Sequence, residues 1–318
     1  MSNPLNAYRK TAATMAEARR PSAARPGEAA AARSGRGCLV VTRPLDDAIP
    51  VAERLRAAGF KVLIEPMLSI RFRPGTGIDL TGVRALLFTS ANGVRSFVHA
   101  FVTAESKAAE RPRADVRLRD AADALALTVY TTGDATAAVA REAGFGTVRS
   151  AQGDGEALVK LAMADAAEGR LGSELQAVSG GDAVAESVML HVRGRDKGFD
   201  VAGALAREGF ATREIILYEA AATHSLSQPL QRALDPARRS AGPDDPDRVQ
   251  GVLFFSTRTV EVFADLADKA GLAPGCRALT AWCISGAVAA AARRLPWARV
   301  VAAPHPDGDA LVACVVAG

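Results

Sequence analysis

The 318-residue sequence predicts an α/β protein of two lobes, each a parallel sheet flanked by helices, and two observations carry that expectation. Short apolar, β-branched runs alternate with longer amphipathic ones, the pattern of strands joined by helical crossovers. The pattern also occurs twice. Sliding 39–60 (LVVTRPLDDAIPVAERLRAAGF) by 150 positions onto 189–210 (MLHVRGRDKGFDVAGALAREGF) needs no gap, and it matches Arg43 with Arg193, Leu55 with Leu205 and Gly59 with Gly209. Three further blocks follow in the same order: 85–97 against 251–263, 131–148 against 283–300, and 154–159 (DGEALV) against 307–312 (DGDALV). An internal duplication of a β-α unit requires parallel sheets with helices on their faces.

Along the chain, residues 1–36 are rich in Ala, Arg, Pro and Ser without apolar periodicity, and they read as a basic disordered tail. The run 38–42 (CLVVT) is a buried strand. A helix follows over 46–58, with Ile49, Val51 and Leu55 inward and Gly59 as its stop. Each half then contains an extended stretch, 62–72 (VLIEPMLSIRF) and 213–222 (REIILYEAAA), suited to a long strand or a crossover between lobes. If both cross, the first lobe is 37–64 plus 223–318, the second is 72–213, and residues 65–71 and 214–222 form a two-stranded hinge. Two charged inserts, 104–124 and 233–250, break the symmetry and belong on the surface as helix extensions or mobile loops.

Composition removes several classes of function. No apolar run approaches the ~18 residues that span a bilayer, and the N-terminal stretch lacks the apolar block of a secretory signal, so a cytoplasmic protein is expected. The net charge of +4 is concentrated in residues 1–36, which hold seven basic and two acidic residues, leaving 32 basic against 33 acidic in the rest. A basic face for nucleic acid is therefore not expected. The four cysteines show no C-x-x-C pair and no zinc spacing, so they read as core residues and no metal is expected. Phosphate-binding G-x-x-x-x-G-K-[ST] and G-x-G-x-x-G loops and a G-x-S-x-G elbow are all missing. His99, His191, His224 and His305 have no carboxylate or nucleophile at a repeated offset, and each reads as packed or solvated.

In open parallel sheets ligands bind at strand carboxyl ends, where helix N-termini offer free N–H groups and partial positive charge. The repeated strand ends here carry small, hydroxylated and glycyl residues with a few arginines, a lining suited to carboxylates or phosphates. Ser90 and Ser256 open helices and serve as caps or as ligand contacts. Thr136 sits in the first turn of its helix. Arg43 and Arg193 recur just past matching strands. Tyr218 lies in the expected hinge strand, where strict alternation sets it on the face opposite Leu217.

The ordered set of 41–44 (VTRP), 88–94 (FTSANGV), 133–137 (GDATA), 190–194 (LHVRG), 218–220 (YEA) and 254–256 (FFS) resembles the uroporphyrinogen-III synthase family over about 38–318. The resemblance implies a cofactor-free, cyclising lyase of tetrapyrrole biosynthesis with two α/β lobes on a two-stranded linker. Its substrate would be hydroxymethylbilane, a linear tetrapyrrole with eight carboxylates, which loses water and closes with its last pyrrole inverted through a spiro intermediate. Tyr218 is then the candidate proton donor, and Arg43, Ser90, Asn92, Thr136, Arg193 and Ser256 are candidate substrate contacts. Val288 stands where the family often has threonine. A monomer is expected, with no nucleic-acid or membrane partner. The alternative reading is a non-catalytic two-lobed ligand-binding or sensor protein.

Because the repeat starts at Leu39, a variant beginning at Gly37 should keep the melting temperature and turnover of the full chain. Loss of either in a side-by-side assay would show that the tail contributes.

Overall fold

The computed structural model describes residues 36–73, 77–110, 121–171, 187–196, 198–235 and 248–318. Apart from Arg36, the expected tail lies outside the described residues, as do 111–120 of the first insert and 236–247 of the second.

Contacts divide the described residues into two units, one within 70–220 and the other within 36–69 and 221–318. In the latter, β1 (Cys38–Val41) leads through α1 (Leu45–Ala57) to β2 (Lys61–Ile64). β3 (Leu68–Phe72) passes into the 70–220 unit. That unit continues with β4 (Val83–Phe88), α2 (Ala91–Glu110), α3 (Ala121–Ala126), β5 (Thr128–Thr131), α4 (Asp134–Glu142), β6 (Thr147–Ser150) and α5 (Gly155–Ala167). It closes with β7 (Val188–Gly194), α6 (Val201–Arg207) and β8 (Thr212–Ala222). The chain then adds α7 (Gln228–Leu234), β9 (Val249–Phe254), α8 (Thr257–Lys269), a 3-10 turn (Ala273–Ala278), β10 (Thr280–Cys283), α9 (Gly286–Ala292), β11 (Arg299–Ala302) and α10 (Gly308–Ala317).

The two sheets share one topology. Their orders are β11-β10-β9-β1-β2 and β3-β8-β7-β4-β5-β6. Matching β1 with β7, β2 with β8, β9 with β4, β10 with β5 and β11 with β6 superimposes the two orders, with β3 left as an addition to the second. The helices that join parallel neighbours cover both faces, so alternate residues of one strand enter different cores. Val40 packs with Phe254 and Phe263, while Leu39 and Val41 pack with Leu55, Leu253 and Leu311. Leu86 and Phe88 likewise oppose Ala85 and Leu87. This double burial explains the nearly continuous apolar strands in the sequence.

The duplication extends to irregularities. Gln250 is an extra residue in β9 against β1, where Cys38 pairs Val249 and Leu39 pairs Gly251. Arg84 is an extra residue at the matching place in β4 against β7. Gly59 and Gly209 end α1 and α6 at φ +91° and +83°, and Phe60 and Phe210 donate back to the carbonyls of Leu55 and Leu205. A left-handed residue closing a helix this way favours glycine.

β3 runs antiparallel along β8: Arg73 N–H donates to the Leu217 carbonyl and Thr223 N–H to that of Met67, so residue numbers rise on one strand as they fall on the other. One expectation fails at α1. Its buried stripe is Ala48, Val51, Ala52 and Leu55, and Ile49 is 40% exposed. At 100° per residue Ile49 lies off that stripe. For the inserts, 104–110 lie in α2, while 233–234 and 249–250 end α7 and begin β9.

One polar group is built deep into the 70–220 unit. Asp165, 3% exposed, accepts from Tyr130 Oη at 2.9 Å and Arg149 Nη2 at 2.8 Å, tying β5 and β6 to α5. Burial, followed by the Asp165 hydrogen bond, raises the Tyr130 phenol far above its usual value, so it stays a donor. Asp165→Ala leaves a buried phenol and an arginine without their acceptor, and urea denaturation should show a loss of about 2–3 kcal/mol, against about 1 kcal/mol for Tyr130→Phe. Equal losses would show that the Arg149 bond adds nothing.

Candidate functional site

In each unit the strand order reverses direction at one place, between β1 and β9 in the first and between β7 and β4 in the second. Connections leaving those adjacent strands diverge, opening a crevice at the carboxyl ends. Apart from Thr136, on α4 after β5, the candidate residues lie at those ends.

At the β1/β9 end, Thr42 is buried and its Oγ1 donates to the Leu253 carbonyl at 2.7 Å, joining the two strands. Arg43 lies over the Phe255 ring, 4.8 Å from the centroid, and approaches Asp47 at 3.9 Å. Ser256 caps α8, its Oγ accepting from Thr259 N–H at 3.2 Å. Phe255 thus sits between the two polar candidates in sequence and under the guanidinium in space.

At the β7/β4 end, Ser90 precedes α2 and its Oγ accepts from Gly93 N–H at 3.3 Å. The same oxygen lies 2.7 Å from Tyr218 Oη. Tyr218 reaches this place through a break in the ladder. Arg193 pairs Ile216, but Gly194 pairs Tyr218, so Leu217 is an extra residue in β8. Leu217 stays in the core at 1% exposure.

A cavity of about 380 Å³ opens beside this strand end, bordered by Thr89, Thr132, Asp154, His191, Arg193 and Tyr218. Arg193 spends its donors on its own unit. It forms a bidentate pair with Glu214 at 3.0 and 3.1 Å, and Nη1 donates to the Gly194 carbonyl at 2.9 Å. Asn92 Oδ1 accepts from Arg95 at 2.9 Å, and Thr136 is 7% exposed in the first turn of α4. The structure therefore gathers Ser90, Arg193 and Tyr218 at one strand end and Arg43 and Ser256 at the other.

The sequence reading passed over His191. Its Nδ1 is 3.2 Å from Glu214 Oε1, and its Nε2 is buried without a hydrogen-bond partner among the described residues. A carboxylate only accepts, so the neutral imidazole carries its proton on Nδ1. Burial is the main influence on His191 and holds the imidazole below its usual value, against the pull of Glu214. Burial also works to raise the Glu214 carboxyl, but the Arg193 and His191 bonds outweigh it and hold the carboxyl below its usual range. A signal for this pair existed. His191 faces Glu214 across β7/β8 as Val41 faces Ile64 across β1/β2, the same repeat positions.

Helix N-termini differ in their readiness for anions. α5, α6 and α10 are capped by Asp154, Asp200 and Asp307. Serine hydroxyls, with no acidic residue in the first turn, start α7 and α9 and also α2 and α8. Of these helices, α2 and α8 follow β4 and β9, one at each reversal point.

Two parallel sheets of matching order, each with a serine at the start of the helix that follows its reversal point, define a duplicated, doubly wound α/β protein. The family model described as uroporphyrinogen-III synthase HemD matches residues 50–313. The chain belongs to the uroporphyrinogen-III synthase family. Among solved structures, the uroporphyrinogen-III synthetase of Helicobacter pylori 26695 aligns at TM-score 0.50 and 17% identity, covering 89% of this chain and 99% of that one. A mutant uroporphyrinogen III synthase of the extremely thermophilic bacterium Thermus thermophilus aligns at TM-score 0.44 and 17% identity over 87% and 97%. Among curated proteins, no sequence matches this chain significantly. No helix of the described residues is long and apolar enough to cross a membrane.

The buried imidazole sets a pH dependence. A histidine whose pKa is depressed by folding contributes full stability above its unfolded value near 6.5, and that contribution falls as pH drops through the interval down to the folded value. Unfolding free energies at pH 7.5 and 5.5 should therefore differ more in the wild type than in His191→Gln. Equal differences would show that His191 is not the group responsible.

Proposed function

We propose that this chain converts hydroxymethylbilane to uroporphyrinogen III. The family match over 50–313 is the observation that carries this reading. The carbon–oxygen bond of the terminal hydroxymethyl group breaks, the pyrrole nitrogen lone pair supplies the electrons, and the hydroxyl takes up a proton and leaves as water. The resulting azafulvene cation is attacked by the far pyrrole, closing the ring through a spiro intermediate that inverts that pyrrole. Loss of a proton completes the product, so only water is released overall. No metal or organic cofactor is needed for these steps.

Tyr218 is assigned the proton delivered to the leaving hydroxyl. The 2.7 Å contact with Ser90 supports this assignment, because it holds the phenol at the start of α2, where helix N–H groups favour the negative charge that develops as the proton leaves. Substrate carboxylates are assigned to the N-termini of α2 and α8, with Ser90, Thr136 and Ser256 as hydroxyl contacts. Arg43 on its Phe255 platform adds positive charge, and Asn92 adds a neutral amide. Arg193, held by Glu214, serves the substrate through the strand end it fixes. Residues 65–71 and 214–222 are assigned as a hinge between lobes 37–64 plus 223–318 and 72–213. The passage of the chain between units near 69/70 and 220/221 supports that assignment. A monomer acting in the cytoplasm, without nucleic acid, fits this chemistry.

Removing the phenolic proton tests the assignment. Tyr218→Phe should lower kcat on hydroxymethylbilane by about 10²-fold, the lower end of general-acid assistance, since the substrate ionises readily by itself. KM and the ratio of type III to type I product should hold. A fully active variant would show that Tyr218 only packs.

A further inference from the structure

We propose that Gly194 is a positioning residue for the reaction: the missing side chain at this strand end is what lets the Tyr218 phenol lie there and reach Ser90. The proposal rests on the reading of Tyr218 as proton donor. A Cβ built on Gly194 would stand 2.8 Å from Tyr218 Cε2, 2.9 Å from Cζ and 3.2 Å from Oη. Carbon atoms in contact normally keep about 3.5–4.0 Å apart, so glycine and the observed ring position require each other.

The strand end has little freedom to yield. Arg193 Nη1 donates to the Gly194 carbonyl at 2.9 Å while its other nitrogens grip Glu214, which also meets His191. Arg195 N–H donates to the Tyr218 carbonyl at 2.9 Å, fixing the tyrosine backbone as well. What can move is the ring, the far end of a flexible side chain. Ala at 194 is therefore accommodated by rotating the phenol away from the strand, at the cost of the Ser90 contact, and the fold survives. The extra residue Leu217 is the second half of the same device, because without it the partner of Gly194 would be Leu217. Glycine elsewhere on the sheets has a different reason: at Gly251 the obstacles are the Trp282 ring and the Thr280 carbonyl of the neighbouring strand β10.

Two measurements on the full chain test the proposal. The sequence has three tyrosines, Tyr8, Tyr130 and Tyr218, so ring-labelled tyrosine gives a simple NMR spectrum in which Tyr218→Phe identifies the Tyr218 signal. In Gly194→Ala that signal should shift while the Tyr130 signal stays. The second measurement is a double-mutant cycle on kcat. Gly194→Ala should fall to within about threefold of Tyr218→Phe, with KM unchanged, and the double variant should be no slower than Tyr218→Phe alone. A general loss of structural integrity would instead multiply with the loss of the phenol. An unmoved Tyr218 signal, a wild-type kcat in Gly194→Ala beside an impaired Tyr218→Phe, or multiplying losses would each overturn the proposal. Wild-type kcat in Tyr218→Phe would overturn the proton-donor reading itself, and the NMR shift would still decide whether Gly194 seats the ring.

Discussion

A one-residue register shift at the end of the β7/β8 ladder decides what the 70–220 unit can present. Up to Arg193 and Ile216 the two strands keep step, and each side chain falls on the face its parity dictates. Leu217 then goes unpaired, staying in the core, and the next residue moves up to face Gly194. Ile215 and Leu217 face the core, and Tyr218, opposite Leu217 as period-2 alternation places it, is brought by the shift to face Gly194. The Arg193–Glu214 pair then fixes the strand end against which the phenol rests.

The surrounding fold supplies the constraint that makes such a strand end useful. Parallel strands buried on both faces leave their polar chemistry at the ends, and a sheet whose order reverses opens a crevice at one pair of strands. Here both sheets reverse at equivalent pairs, and the helices that follow β4 and β9 begin with serine hydroxyls in place of the aspartates that cap α5, α6 and α10. Carboxylate caps already satisfy a helix N-terminus. Hydroxyl caps leave its positive potential for a ligand, and under the proposed function the substrate's carboxylates take it up.

The duplicated α/β architecture was legible in the sequence because it is written in a repeated apolar pattern, extending to the glycines at 59 and 209. What could not be read was set by contacts between residues distant in the chain. Ile49 is expected inside because it is apolar, but it lies off one edge of the buried stripe of α1. His191 looked isolated because its partner is 23 residues away, opposite it only once β7 and β8 are paired. Arg193 is a polar residue at a strand end, and its partner Glu214 is likewise set by the pairing of β7 with β8. Tyr218 is marked by its position in the expected hinge strand, whereas the bulge that delivers it leaves no mark on the local pattern.

The isomer formed from hydroxymethylbilane tests the central claim most directly. Closure without inversion yields the type I porphyrinogen, and only an enzyme that guides the spiro step yields type III. The full chain, mixed with freshly generated hydroxymethylbilane and followed by oxidation and chromatographic separation of the isomers, should give predominantly type III porphyrin. A mixture no richer in type III than the protein-free control would contradict the account.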